Sequence, residues 1–197
     1  MNKRILGRAT TIIAIIAMFF ICVTAYAYDG KGYSIDIPST FKKSGNDNWE
    51  KANGTSVNIQ ITSNDNASSA KQSTLDDIIK ELEKKYPSIE VESSEITTIT
   101  EKNYKCMRIT SKHMGVYIEQ YSIPSKDNVY TITIGSFDKD YLSSDEAKNM
   151  IKSFKIDNYK DPEPSSNTAT KIAITLTIVI VIVATAIITM IIIKRKK

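Results

Sequence analysis

Between Ile172 and Ile193 the chain runs for twenty-two residues without a charge, and it then closes on Lys194, Arg195, Lys196 and Lys197. A helix rising about 1.5 Å per residue crosses the roughly 30 Å hydrocarbon core of a bilayer in that length. The run is rich in β-branched residues, which in a short segment argues for a buried strand. It is too long for one, and in lipid a single segment satisfies its own backbone only as a helix. A transmembrane helix is therefore expected over 171–193, with the lipid bilayer as partner through 172–193. The basic tail 194–197 is expected to stay in the cytoplasm, since positive segments beside a span are retained there, so everything before the span faces outward.

The other end has a matching design. Lys3, Arg4 and Arg8 precede an apolar run from Ile12 to Val23, and Ala25, Tyr26 and Ala27 place small residues at the minus-three and minus-one positions of a cleavage site. This is the layout of a secretory signal peptide over 1–27, with Tyr28 as the new N-terminus. The competing reading is an uncleaved signal anchor, because weakly polar residues extend the run from Ala9 to Ala27. Lipoprotein processing at Cys22 is disfavoured by Ile21, where a small residue is needed. A cell-wall sorting signal at the carboxyl end is disfavoured by the lack of a Leu-Pro-x-Thr-Gly type motif.

With both ends set aside, the charge balance changes sign. The whole chain is formally +4, but 28–170 holds 18 basic residues against all 22 acidic ones, a net of −4. The basic balance reports membrane topology, and no nucleic-acid partner is inferred from it. Only Cys106 remains after cleavage, so no internal disulfide is expected, and about 130 residues suffice for one unstapled core.

Tyr33 to Ile37 alternate and stop at Pro38, which reads as a first strand. Trp49 and the stretch 57–61 read as two more, joined at Asn53-Gly54, a strong two-residue hairpin signal. The intervening 42–48 reads as a polar turn and 63–72 as a polar loop. Leu75, Ile78, Ile79 and Leu82 lie on one helical face over 74–86, with Ser73 or Thr74 as cap, Asp76 and Asp77 in the first turn, and Pro87 as terminator. Four strands follow, over 96–100, 104–111, 116–123 and 129–135, with connections short enough to force an antiparallel meander. In the third, Val116 and Ile118 point one way while Tyr117, Tyr121 and Ile123 point the other. A second helix carries Ala147, Met150, Ile151 and Phe154 in its apolar stripe, with Ser143 and Glu146 as a capping box. The domain is expected to span 28–156, followed by a solvated stalk over 157–170.

The opening Gly32-Tyr33-Ser-Ile-Asp-Ile-Pro38, the order of elements after it and the closing Ile151-Lys-Ser-Phe-Lys-Ile156 resemble the PsbP-like superfamily, over about 28–156. That superfamily also takes in a Ran-binding nuclear-transport factor and many bacterial surface lipoproteins. The resemblance implies an α+β fold, an antiparallel sheet flanked by two helices as an α/β/α sandwich. It implies no activity, since members serve as extrinsic subunits and binding modules, and it carries over no functional residue. A C-terminal helix here stands in place of the lipid.

No reaction is legible in the remaining residues. His113, the one histidine, lies in the 112–115 turn and reads as an exposed turn residue; Cys106, inside a strand, reads as a packing residue. One His and one Cys make no nitrogen or sulfur cage, so metal binding reduces to Asp138, Asp140 and Asp145, which read first as helix-start charge and second as a weak Ca²⁺ or Mn²⁺ site. Trp49, Tyr117, Tyr121 and Tyr130 read as sheet packing or as the walls of a ligand groove. Thr185 and Thr189, one turn apart in the span, read as passive or as a helix-pairing face. No catalytic, cofactor or metal residue is therefore assigned. The expected function is a non-catalytic, membrane-anchored extracytoplasmic binding or accessory module for a protein or envelope partner. The alternatives are a surface hydrolase using carboxylates and a ligand-sensing adaptor.

Overall fold

The computed structural model of the chain describes residues 25–30, 32–64 and 69–162. The expected transmembrane span, the basic tail and most of the leader lie outside them. Among the described residues no helix is long and apolar enough to cross a membrane.

Among the described residues, ten strands and three helices follow one another as β1 (Ala25–Gly30), β2 (Tyr33–Pro38), β3 (Lys42–Gly45), β4 (Asn48–Glu50), β5 (Ser56–Ser63), α1 (Gln72–Lys85), β6 (Glu90–Ile99), β7 (Tyr104–His113), β8 (Val116–Pro124), β9 (Asn128–Ser136), α2 (Lys139–Leu142), α3 (Asp145–Ser153) and β10 (Lys155–Ile156). Seven of the strands form one antiparallel sheet in the order β3-β4-β5-β9-β8-β7-β6, and β1, β2 and β10 form a second, three-stranded sheet. The α+β class and the meander follow as expected. The opening strand does not join the hairpin after it: β2 leaves for the small sheet, whereas β3, β4 and β5 extend the large one.

Period-two alternation gives the large sheet two apolar faces. On one, Met107, Ile109, Val116 and Ile118 pack against Leu75, Ile78 and Leu82 of α1. On the other, Val57, Ile59, Ile123, Ile132 and Ile134 pack against Tyr33, Ile35 and Ile37 of β2 and against Met150, Ile151 and Phe154 from α3 and its end. Burying that much aliphatic and aromatic surface at about 25 cal/mol per Å² is the main stabilising term. The second layer is thus one helix and a small sheet together, where two helices alone were expected to flank the sheet.

Local chemistry moved several boundaries. The two-residue turn sits at Met114-Gly115, where φ is +50° and +82° and His113 pairs with Val116. At Asn53-Gly54 only Gly54 is left-handed, and the loop is closed by Lys51 N donating to Thr55 O and Gly54 N to Lys51 O. Helix α1 starts at Gln72 with Lys71 at its cap and no side-chain bond there, so Asp76 and Asp77 lie beyond the first turn. Helix α3 is capped by Ser144, whose Oγ accepts from Ala147 N at 3.2 Å. The expected cap, Ser143, instead closes α2 through Asp140 O. Residues 42–45, read as a turn, pair as β3, and β6 starts at Glu90, six residues earlier than expected.

The ends of the domain carry two further facts. Strand β1 pairs with β2 from Ala25 opposite Pro38 onward, so the cleavage point expected after Ala27 falls within this strand. At the other end the chain stays fastened past Ile156. Tyr159 packs on Tyr104 with ring centroids 4.6 Å apart, and Lys160 O accepts from Lys126 N and Ser125 Oγ.

A candidate binding groove between the sheet and its last helices

Because α3, β2 and the closing segment cover β5, β9, the inner part of β8 and the Ile99, Tyr104 and Cys106 ends of β6 and β7, only the far parts of those outer strands, around Ser93, Arg108 and Thr110, are left open on that side. Two adjoining hollows of about 360 and 490 Å³ result, both bordered by Tyr121 and Lys148. The strands supply the floor, and α2 and α3 supply the wall.

Register decides which charges meet there. The Met114-Gly115 turn sets Arg108 opposite Tyr121 and Thr110 opposite Glu119, so Arg108 and Glu119 are diagonal neighbours on one face, and β6 brings Glu95 directly opposite Arg108. Arg108 donates from Nε and Nη2 to Glu119 Oε1 at 2.8 and 2.5 Å, and from Nη1 to Glu95 Oε1 at 2.7 Å. The Glu119 side chain is only 3% exposed and that of Glu95 is 51% exposed, so the guanidinium bridges a buried carboxylate to a solvated one. Partial burial works against the Arg108 charge, but the bonds to Glu95 and Glu119 hold its pKa above the ordinary guanidinium value. Burial first, and the neighbouring Glu119 second, raise the phenol of Tyr121, whose ring lies 5.9 Å from the Arg108 guanidinium carbon.

Each end of the groove has its own charge. At one, Lys139 of α2 donates to Glu92 Oε1 at 2.8 Å beside the β6 bulge, and the Tyr117 ring lies under both Lys112 and Lys139 at 5.3 and 5.5 Å. At the other, Lys148 and Lys152, one turn apart on α3, face Thr98, Thr100 and Glu101. The α3 wall is held from behind: Glu146 pairs with Lys51 and accepts from Tyr141 Oη at 2.8 Å. The Lys51 ammonium in turn sits 4.7 Å from both the Phe41 and Tyr141 ring centres.

Three N–H donors of Arg108 are committed to carboxylates, and a guanidinium has more to offer a ligand. Glu95 and Glu119 share this one cation, each through Oε1. The residues singled out earlier are dispersed. His113 is on the α1 side, 3.3 Å from Ser88 Oγ. Cys106 is fully buried, and burial pushes its thiol up to about 12. Asp138 caps α2 through Asp140 N and Asp145 begins α3; among the described residues no group of three His, Cys, Asp or Glu could hold a metal ion. Of the four aromatics, Trp49, Tyr130 and Tyr121 belong to the core, as the packing reading has it; Tyr121 also borders the groove, and Tyr117 stacks with Lys139 at its rim. Arg108, Glu119 and Glu95 form no motif in the sequence. Their signal was present: two opposite charges at inward positions of adjacent strands, legible once the turn is placed at Met114-Gly115.

No protein-family model matches the chain. No curated protein matches it in sequence. Several solved structures are similar in overall path. Cyanobacterial PsbP (CyanoP) from Synechocystis is 8% identical with a TM-score of 0.47, over 70% of this chain and 95% of that one. PA94, a Pseudomonas aeruginosa protein of unknown function, is 12% identical with a TM-score of 0.40, over 62% and 90% of the two chains. A protein from Bacteroides thetaiotaomicron is 13% identical at 0.37, over 72% and 51%. A PsbP protein is thus among the structures this fold is similar to; likeness this distant concerns chain path and assigns no activity or partner.

Proposed function

We propose that the chain is a single-pass, membrane-anchored extracytoplasmic binding module, non-catalytic, that presents the groove around Arg108 to a protein or envelope partner. The observation that carries the reading is the Glu119–Arg108–Glu95 bridge on the floor of an open groove. Desolvating a carboxylate to pair it indoors contributes little net stability compared with packed apolar side chains. It does fix the direction of a charged hydrogen-bonding group, which is how interfaces obtain selectivity and orientation. The partly exposed Tyr117 ring at the rim supplies the amphipathic contact surface that interfaces favour.

The membrane part of the proposal is supported by the leader of Lys3, Arg4 and Arg8 with its apolar run, and by the uncharged stretch between Ile172 and Ile193 closed by four basic residues. Processing after Ala27 would leave Tyr28–Gly30 still paired with Tyr33–Ile35, so β1 is shortened without being lost. The test is membrane fractionation of the full chain with epitopes placed before Tyr28 and after Lys197. The proposal expects alkaline-resistant membrane association, loss of the first epitope, and protection of the second from external protease. Release by alkaline carbonate, or external cleavage of the second epitope, would overturn the anchored topology.

A further inference from the structure

The two edges of the large sheet are unlike. Strand β3 is a protected edge: four residues, all exposed, with Lys42 and Lys43, then Gly45 and a register irregularity between Lys43 and Gly45. Those are the devices by which soluble sheets prevent further pairing: shortness, lysine and a bulge. Strand β6 is ten residues long, and among the described residues it pairs on one side only, with β7. Its first part is guarded by Glu90, Glu92 and the irregularity between Val91 and Ser93. The rest, Ser93 to Ile99, contains one charge, Glu95, no proline and no glycine.

We infer that Ser93 to Ile99 of β6 is a pairing edge for a second copy of this chain, forming an antiparallel β6–β6 ladder with Ile96 on the two-fold axis. Directly opposite residues of an antiparallel pair share a face of the sheet, so only registers that match even with even and odd with odd keep both cores on their own sides. Centring on Glu95 would set two glutamates face to face, which is destabilising. Centring on Ile96 sets Ile96 against Ile96, Glu95 against Thr97, Ser94 against Thr98 and Ser93 against Ile99, with no like charges opposed. It also covers Ile96, a partly buried residue packed on the α1 core, with a β-branched partner, the kind of cross-strand pair that sheets favour. The two grooves then open on the same face of one continuous sheet. The inference is independent of what the groove binds.

Cysteine cross-linking of the full chain in membranes tests the register, in a background carrying Cys22→Ser. Cys106 is buried with its thiol held protonated, so it stays silent. In the proposed register Ser94 lies opposite Thr98 of the other copy but several residues from that copy's Ser94. Coexpressed Ser94→Cys and Thr98→Cys chains are therefore expected to form a disulfide dimer under mild oxidation, while each variant alone is not, nor Lys43→Cys on the opposite edge. Cross-linking that is absent from the mixture, or equal in the single variants, overturns the inference.

Discussion

At the scale of single residues the account depends on Arg108. Replacing it with Ala would strand the buried Glu119 carboxylate and is expected to cost about 3 kcal/mol, at the lower end for a buried pair because Arg108 itself is partly solvated. The double change Arg108→Met with Glu119→Leu is expected to recover most of that loss, and urea unfolding measures both. A second test concerns the α1 side of β5, β9 and β8, where Ser56 Oγ, Asn58 Oδ1, Gln60 Oε1, Gln120 Nε2 and Thr133 Oγ1 are buried without a hydrogen-bond partner among the described residues. In register, Asn58, Thr133 and Gln120 form one row across three strands. Thr133→Val removes an unpaired hydroxyl at constant shape, so thermal unfolding is expected to show unchanged or higher stability. Cys106 predicts a pH effect. Its folded pKa of about 12 lies above its unfolded value of 9.0, so the native state keeps a proton that the unfolded chain releases. Stability from this group is complete below pH 9.0 and is lost as pH rises towards 12; Cys106→Ala is expected to flatten that alkaline decline in denaturant titrations.

At the scale of elements, the sequence was legible wherever periodicity was strong and misleading where turn chemistry stood alone. The faces of β8 and the stripes of α1 and α3 were readable from alternation and from three-to-four spacing, because burial on a known period leaves one solution. Asn53-Gly54 has the better two-residue hairpin composition, yet the tight turn formed at Met114-Gly115, where two ten- and nine-residue strands impose the register regardless of the residue between them. Met114 holds φ of +50° there while 65% exposed, so its side chain contributes little packing to offset that strain. Met114→Asn is accordingly expected to raise stability by roughly 0.5–1 kcal/mol, as measured by the urea midpoint. The α3 cap was misplaced by one residue for a different reason: Ser143 and Ser144 are adjacent, and Glu146, which the capping-box reading needed at the helix start, is engaged with Lys51 and Tyr141. Strand β3 was unreadable because its Lys-Lys-Ser-Gly composition is that of a turn, and pairing with β4 overrides it.

At the scale of the molecule, the class and the two-faced sheet were visible in the sequence, while the groove was not. It exists because the second layer is narrower than the sheet, and layer width depends on β1, β2 and β10 assembling from opposite ends of the domain. No local pattern records such long-range pairing. The chain also stays fastened past Ile156, where Lys160 O accepts from Lys126 N and Ser125 Oγ of the β8–β9 turn. The central claim is that the groove around Arg108 meets a partner outside the membrane. The direct measurement places a photoreactive side chain at Lys148, on the groove wall, in the full chain in intact cells, and identifies what is captured by mass spectrometry, alongside the same probe in an Arg108→Met, Glu119→Leu background and at Lys84 on the exposed face of α1. The account predicts one recurrent adduct from Lys148 that is lost in the double variant and never formed from Lys84; identical adducts from all three would contradict it.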